Sequence, residues 1–577
     1  MNSTRKTELV AYLQKLSHQF SQAAEVAPEL FSEKAEEIQK ELKLVIDETD
    51  KRDLFVPLVG GFSTGKSTAI NSLIGRDILP EKVSPETAIP AELHFDTDER
   101  VMALSINGDW SRHEVSALVG LSDEANQYQV VRIYLNSSVL QEIQPMVLVD
   151  MPGFDSGLDQ HNFAILRYIT TGALYLYMVN AKAGTVSRQD VRRIEEILDL
   201  GRSVKVFLTM TDIASPAELD ETHQYVSEHI AMVTGESGVE KINKDDIAPL
   251  LAAIKSADVS TLFDGMAMPK VQNLYFDALG QVNTAIKALS LDEDSRHQAV
   301  TDAELSLKKV ESERERLLAD LRSGSVASKA ELVIRKLEQA LHGAVDELAV
   351  QAKLGESGLS KAVSNLVRTT LSVEIQALIR KSTTDIAYQF SGEVNFNGLS
   401  LAPDGNDWMS NLISVIETEA MDALSGIEAK EKQEQTKQQD GNSKDKVIGS
   451  LRSLAITIPN PVLRVIFAIL PGIIGELLGN VRSNNEADKY RQAIASQVIP
   501  GVISQVRPQV LESLNSVEGE IIRVVSEQVE SKVSSQKALY DEVTKCSESE
   551  IQALQANKSI LKDIRQAMTE AAQGVVA

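Results

Sequence analysis

The run Gly60–Gly61–Phe62–Ser63–Thr64–Gly65–Lys66–Ser67 constrains this chain more than any other feature. It satisfies G-x-x-x-x-G-K-[ST] and lies between the apolar run Leu54–Val59 and the helix-like stretch Thr68–Leu73. A strand, a glycine-rich loop and a helix in that order form a cradle for phosphate. The glycines let backbone N–H groups turn inward, and the positive end of the helix faces the same anion. In such a loop Lys66 bridges β- and γ-phosphates and the Ser67 hydroxyl holds Mg²⁺. The expected nucleotide contacts therefore run through Gly60, Gly61, Phe62, Ser63, Thr64, Gly65, Lys66, Ser67 and Thr68, with Ser63, Lys66 and Ser67 in the catalytic set.

Three later segments fit the same chemistry. Asp150–Met151–Pro152–Gly153 ends the apolar run Met146–Val149, where a carboxylate reaches Mg²⁺ through water and the Gly153 N–H senses a γ-phosphate. Between it and the loop, Ser84–Pro90 is bracketed by prolines. Within it Thr87 is the residue expected to close over the metal and join the catalytic set. Thr209–Met210–Thr211–Asp212 follows the strand-like Val204–Leu208 and varies [NT]-K-x-D by placing methionine at the lysine. The Asp212 carboxylate suits the two adjacent N–H donors of guanine, which adenine lacks; Met210 is expected to pack on the base face without charge. Asn243–Asp246 matches N-K-x-D literally but is set aside, because no strand is apparent before it. Lys255–Ser256–Ala257 is read as the last base-contacting loop. His161, beyond Gly153, reads as a surface loop histidine.

The surroundings agree with an α/β head. Leu54–Val59, Met146–Val149, Ala173–Val179 and Val204–Leu208 have the length of buried strands and alternate with helical stretches, which implies a mostly parallel sheet with helices on both faces. On both sides of this region the period becomes helical. Leu9, Leu13, Leu16 and Phe20 line one face, as do Leu307–Leu321, Ile334–Leu348 and Leu554–Met568. With 577 residues there is room for about three or four units. The single cysteine, Cys546, excludes a disulfide framework, and a formal charge of −25 argues against a nucleic-acid partner. The charged, amphipathic amino terminus does not read as a secretory signal.

The most apolar stretch, Ser453–Gly479, carries only Arg464 and Glu476 as charges and is broken by Pro459, Pro461 and Pro471. Its uncharged piece falls short of the roughly 20 residues a spanning helix needs. Between Lys444 and Arg482 five bases face two acids, inverting the sign of the whole chain. A kinked apolar hairpin ringed by bases suits insertion into an anionic lipid interface through Val465, Ile466, Phe467, Ile469, Leu470, Ile473 and Ile474. A hairpin buried within a helical trunk is the other reading. The Lys/Glu/Gln-rich residues 429–446 before it read as a flexible arm.

Taken together, G-G-F-S-T-G-K-S-T, N-S-L-I-G-R-D-I-L-P (Asn71–Pro80), E-T-A-I-P and D-M-P-G-F-D, followed by a long helical remainder, resemble the bacterial dynamin-like GTPases. The resemblance covers roughly residues 55–260. It implies helices 1–50 packed into a neck, a GTPase domain at 51–285, a helical neck and trunk at 286–430, an arm and membrane-binding tip at 431–485, and returning helices at 486–577. It also implies an antiparallel helical bundle, GTP and GDP as ligands, Mg²⁺, and self-assembly or pairing with a second dynamin-like chain. The expected work is remodelling of anionic membranes, in vesiculation or fusion, by a cytoplasmic or peripheral protein without a transmembrane span. Phe62 stands where eukaryotic dynamins carry a water-positioning glutamine, so turnover is expected to be slow or stimulated by assembly or a partner. Two rivals follow: a GTP-locked scaffold that scarcely hydrolyses, and a helical pore former, for which the Gly60–Ser67 loop has no use.

Overall fold

The computed structural model describes residues 4–61, 63–80, 89–124, 127–153, 168, 172–199, 202–212, 215–235, 238–353, 355–393, 410–416, 487–546 and 548–576. Phe62, Thr87, His161, the arm and the apolar stretch with its seven tip residues lie outside them.

Two helices, α1 (Thr4–Val26) and α2 (Pro28–Lys51), precede the first strand. The head then runs β1 (Leu54–Gly60), α3 (Lys66–Ile74), β2 (Ala91–Phe95), β3 (Arg100–Ser105), β4 (Trp110–His113), α4 (Leu118–Asp123), β5 (Tyr128–Leu135), α5 (Ser138–Glu142), β6 (Met146–Asp150) and β7 (Leu174–Asn180). It continues through α6 (Arg188–Asp199), β8 (Ser203–Thr209), α7 (Pro216–Thr234), β9 (Val239–Lys241) and α8 (Ala248–Ser256). The nine strands form one sheet in the order β4-β3-β5-β2-β6-β1-β7-β8-β9. The centre is parallel: β1 lies between β6 and β7, and β8 and β9 follow in the same sense. The four apolar runs seen in the sequence are these central strands. A second lobe, β2 to β5, includes antiparallel pairs, and β2 joins it to the centre by running antiparallel to β6, with Ala91 opposite Asp150.

After the head the chain is helical: α9 (Val259–Ala288), α10 (Glu293–Arg322), α11 (Ser325–Gly343), α12 (Val345–Lys353), α13 (Glu356–Glu393), α14 (Ala487–Ala493), α15 (Ile499–Lys545) and α16 (Glu548–Ala572). Asp258 caps α9 by accepting from the N–H groups of Ser260 and Thr261, and Asp292 caps α10 through the Ser295 N–H. α9 packs with α1, α2 and α16. The single helix expected over Ile334–Leu348 is broken at Ala344, which separates α11 from α12.

Three hydrophobic cores organise these elements. One face of the sheet, with Leu54, Val56, Leu58 and Ile70, shares a continuous core with Leu13 and Phe20 of α1, Leu274 of α9, Tyr540 of α15 and Leu561 of α16. This is the neck, and it has no seam of its own against the head. The opposite face, with Val59, Tyr177 and Val206, is covered by Ile194 and Ile197 of α6 and by Val226 and Ile230 of α7. A separate core joins α10 to α13 with most of α15, and forms the trunk. No helix among the described residues is long and apolar enough to cross a membrane.

Candidate nucleotide site

The site sits where the parallel strands end. β1, β6, β7 and β8 deliver Gly60, Asp150, Asn180 and Thr209 to the same carboxyl edge of the sheet, the edge at which open α/β sheets bind ligands. Glycine is required at position 60, because a Cβ there would stand 2.5 Å from the Met178 carbonyl oxygen. Gly65 adopts φ +80° and caps α3, whose first residue is Lys66. Lys66 is buried, and its ammonium donates to the carbonyl of Gly61 at 2.8 Å, with the Gly60 carbonyl 3.4 Å away. Thr64 Oγ1 donates to the same Gly61 carbonyl at 3.0 Å.

Ser67 Oγ donates to Asp150 Oδ2 at 2.6 Å. Asp150 Oδ1 is sealed from solvent and has no hydrogen-bond partner. Burial raises the Asp150 carboxyl above its ordinary range, against the Ser67 hydroxyl and the Lys66 ammonium, which both favour the charged form. A hydroxyl and a carboxylate with an unsatisfied buried oxygen, beside the phosphate loop, are the donors Mg²⁺ takes in such sites. These residues fit the ion. Among the described residues no cluster of three or more His, Cys, Asp and Glu offers an alternative metal site.

The loop is braced from behind. Thr209 Oγ1 is buried and donates to the Thr64 carbonyl at 2.8 Å, and Asn180 Nδ2 reaches the Ser63 carbonyl at 3.3 Å. Among the described residues, only Ser63 (φ 57°) and Met210 (φ 56°) are non-glycines at positive φ, and both lie here. Such backbone costs on the order of 1–3 kcal/mol and persists where surroundings impose it. Met210 Cε lies 3.6 Å from where a Cβ on Gly65 would be, so the thioether rests against the phosphate loop. Asp212 is exposed beyond it.

The segment set aside in the sequence belongs beside this loop. A short strand, β9, does precede Asn243, and Asn243 Nδ2 donates to Thr211 Oγ1 at 3.1 Å. Its Oδ1 accepts from the N–H groups of Asp245 and Asp246, making a tight turn next to Thr209–Asp212. Ser256 is not brought to the site. It ends α8, and its neighbour Lys255 pairs with Glu142 at 2.7 Å, on the helix that leads into the opposite end of β6. The loop beside Thr209–Asp212 is thus Ile242–Asp246, and Lys255–Ala257, read from the sequence as that loop, lies away from it. Thr68 lies in the first turn of α3, and Gly153 is the last described residue after Met151 and Pro152, which are buried. Sequence reasoning also missed Asn180, whose one signal was a polar residue closing an apolar run, and Asn71. The buried Asn71 side chain pins Ile78 and Leu79 by accepting from both N–H groups and donating to the Leu79 carbonyl.

A phosphate-cradling loop, a serine–aspartate pair and a braced Thr209–Asp212 loop at the carboxyl edge of a parallel sheet mark a P-loop nucleotide-binding domain. Residues 56–211 match the dynamin family profile. The chain is similar to dynamin-like protein 2 of Campylobacter jejuni subsp. jejuni serotype O:23/36 (strain 81-176), with 25% identity over 248 residues, 41% of this chain and 40% of that one. An uncharacterized protein encoded in the xynA 3′ region of Caldicellulosiruptor sp. (strain Rt8B.4) is 22% identical over 226 residues, 38% of this chain and 54% of that one. The chain thus spans about half the length of the relatives it matches. Among solved structures, one described as an oligomerised bacterial dynamin pair aligns over 92% of this chain and 91% of that one, at 12% identity and a TM-score of 0.31.

Proposed function

We propose that the protein binds GTP with Mg²⁺, hydrolyses it, and uses the cycle to assemble on and reshape anionic membranes. The Ser67–Asp150 pair beside the buried Lys66 ammonium is the observation that carries the nucleotide part. Mg²⁺, when bound, neutralises charge on the β- and γ-phosphates; Ser67 and Asp150 are the described residues that would hold it, and Thr87 is proposed to complete the set. Lys66 exchanges the Gly61 carbonyl for phosphate oxygens without leaving its pocket, so its desolvation is met before the nucleotide arrives. The amides of Gly65, Lys66 and Ser67, at the start of α3, face the same phosphates in this reading. Asp212 and the Asn243 turn hold the base, and the brace from Thr209 and Asn180 keeps the Thr64 and Ser63 carbonyls turned towards the sheet. In the reaction a water oxygen forms a bond to the γ-phosphorus as the bond to the bridging oxygen breaks, releasing GDP and phosphate. Phosphate-release kinetics test it: Lys66→Ala is expected to lower turnover by at least about 100-fold, and unchanged turnover overturns the reading.

The membrane part rests on sequence, through the apolar residues Val465–Ile474 among basic flanks. Self-assembly, or pairing with a second dynamin-like chain, is proposed on the same grounds. Co-sedimentation with anionic vesicles, comparing GTP with GDP and wild type with Ile466→Asp, tests it. Equal lipid binding by the variant removes the tip from the account.

A further inference from the structure

One contact between head and trunk does not share the character of the rest. Head and neck are joined through a continuous apolar core, whereas the trunk core is separate. The trunk nevertheless reaches the head on the opposite sheet face, where α6 meets α12 and α13. That meeting is mixed, with charged and polar side chains standing among Ala344, Leu348, Ala362 and Leu366. Arg192, Arg193, Glu347, Asn365 and Thr369 surround a cavity of about 20 Å³, room for a single water. The charge pair across it, Arg192 Nη1 to Glu347 Oε2, spans 3.6 Å, too long for a hydrogen bond, and Glu347 Oε2 is buried with no hydrogen bond at all. Contacts of this kind between domains favour motion over permanent docking.

The helix that carries the arginines is firmly held on its own side. Tyr177 of β7 donates to Asp190 Oδ1 at 2.7 Å, and Ser187 Oγ donates to Asp190 Oδ2 at 2.6 Å, fixing the first turn of α6 to the sheet. Three residues beyond Tyr177 the same strand ends in Asn180, which touches the phosphate loop at Ser63. A hydrogen-bonded path along β7 and the start of α6 therefore leads from the back of the nucleotide site towards the long Arg192–Glu347 ion pair with the trunk.

We propose that the α6–α12–α13 contact is a releasable latch, keyed by Arg192 and Glu347, that holds the trunk down on the head in the resting protein. The latch is a property of the conformation and stands independently of the GTPase reading. Double electron–electron resonance on the full chain tests it. Cys546→Ser provides the background, with spin labels at Glu228→Cys on α7 and Val350→Cys on α12, both exposed positions. Without nucleotide a narrow distance distribution is expected. Glu347→Arg, which sets like charges face to face, should broaden the distribution and lengthen it by about one helix diameter, ~10 Å. Exchanging the charges in Arg192→Glu with Glu347→Arg should restore the narrow peak, and circular dichroism of each variant verifies that its helices are formed. An unchanged distribution in Glu347→Arg overturns the latch, and so does failure of the exchanged pair to recover it. Glu347→Gln, a milder change, should give an intermediate width; a variant that loses its helices is replaced by this one, and a width equal to wild type then counts against the proposal.

Discussion

Asp150 holds two demands in one side chain. Chemistry at the phosphate loop needs a carboxylate, while its surroundings favour the neutral acid, because burial outweighs the help from Ser67 and Lys66. A carboxyl raised in the folded state binds its proton more tightly there than in the unfolded chain. Stability therefore falls as pH rises from its ordinary titration range through the raised one. Asp150→Asn should thus raise the melting temperature of the metal-free protein at neutral pH, with the gain shrinking towards about pH 4, while abolishing Mg²⁺-dependent turnover. Calorimetry at the two pH values beside a phosphate-release assay checks both halves; destabilisation at neutral pH contradicts the account. Thr209 gives a second case. Thr209→Val keeps the shape and removes the donor to the Thr64 carbonyl, so nucleotide affinity should drop by about 1 kcal/mol, near fivefold, measurable by fluorescent-nucleotide titration. At this scale the phosphate loop was legible because its glycines answer a backbone demand. Ser256 was misplaced because a Lys-Ser-Ala string carries no such demand, and only β9 fixes which loop follows the sheet.

Elements were legible in proportion to how completely they are buried. β1, β6 and β7 are covered on both faces and read as apolar runs, and β8 reads the same way from Val206 to Leu208 despite the exposed Lys205. The outer strands were not seen: β5, YQVVRIYL, alternates in burial and carries charge, and β9 has only three residues. Charge in β2 was equally misleading, since Glu92 is fully buried. Its carboxylate accepts from Arg132 Nε at 2.8 Å and from the Tyr168 hydroxyl at 2.6 Å, with His94 Nε2 at 3.2 Å. Tyr168 in turn packs edge-on against Phe55 of β1. The network sews the β2–β5 lobe to the central strands beside the apolar core that Ala91, Leu93 and Ile133 share with Leu54 and Leu148. Glu92→Ala would leave Arg132 and Tyr168 without their acceptor and should cost about 3–5 kcal/mol, read by chemical denaturation. Glu92→Gln keeps an acceptor for the Tyr168 hydroxyl and should cost less; equal effects would mean that the ion pair, not the network, matters.

At the scale of the molecule, the head has no complete core without the neck. Helical period in residues 9–20 and 554–568 announced amphipathic helices at both ends of the chain, but period alone names a buried face, not its partner. The structure supplies it: α1, α2, α9 and α16 close over the sheet face that carries Leu54, Val56 and Leu58. Tertiary ties run the same way, with Arg5 donating to Asp264 at 2.8 Å and to the Val575 carbonyl at 2.9 Å. A fragment of residues 52–257 contains every strand yet exposes that face, and an apolar patch of this kind drives association. It should express as aggregate or as a soluble oligomer that binds apolar dyes. Residues 1–290 joined by a glycine–serine linker to residues 534–577 restore the covering helices, including Leu539, Tyr540 and Val543 of α15, while omitting the trunk core. This second fragment should be a soluble monomer that binds nucleotide as the full chain does. Size-exclusion chromatography and nucleotide titration of the pair decide the matter. A monomeric, fully active 52–257 fragment would mean that the shared core is an accessory to the head; aggregation of that fragment alone would mean that the neck is part of the fold that builds the nucleotide site.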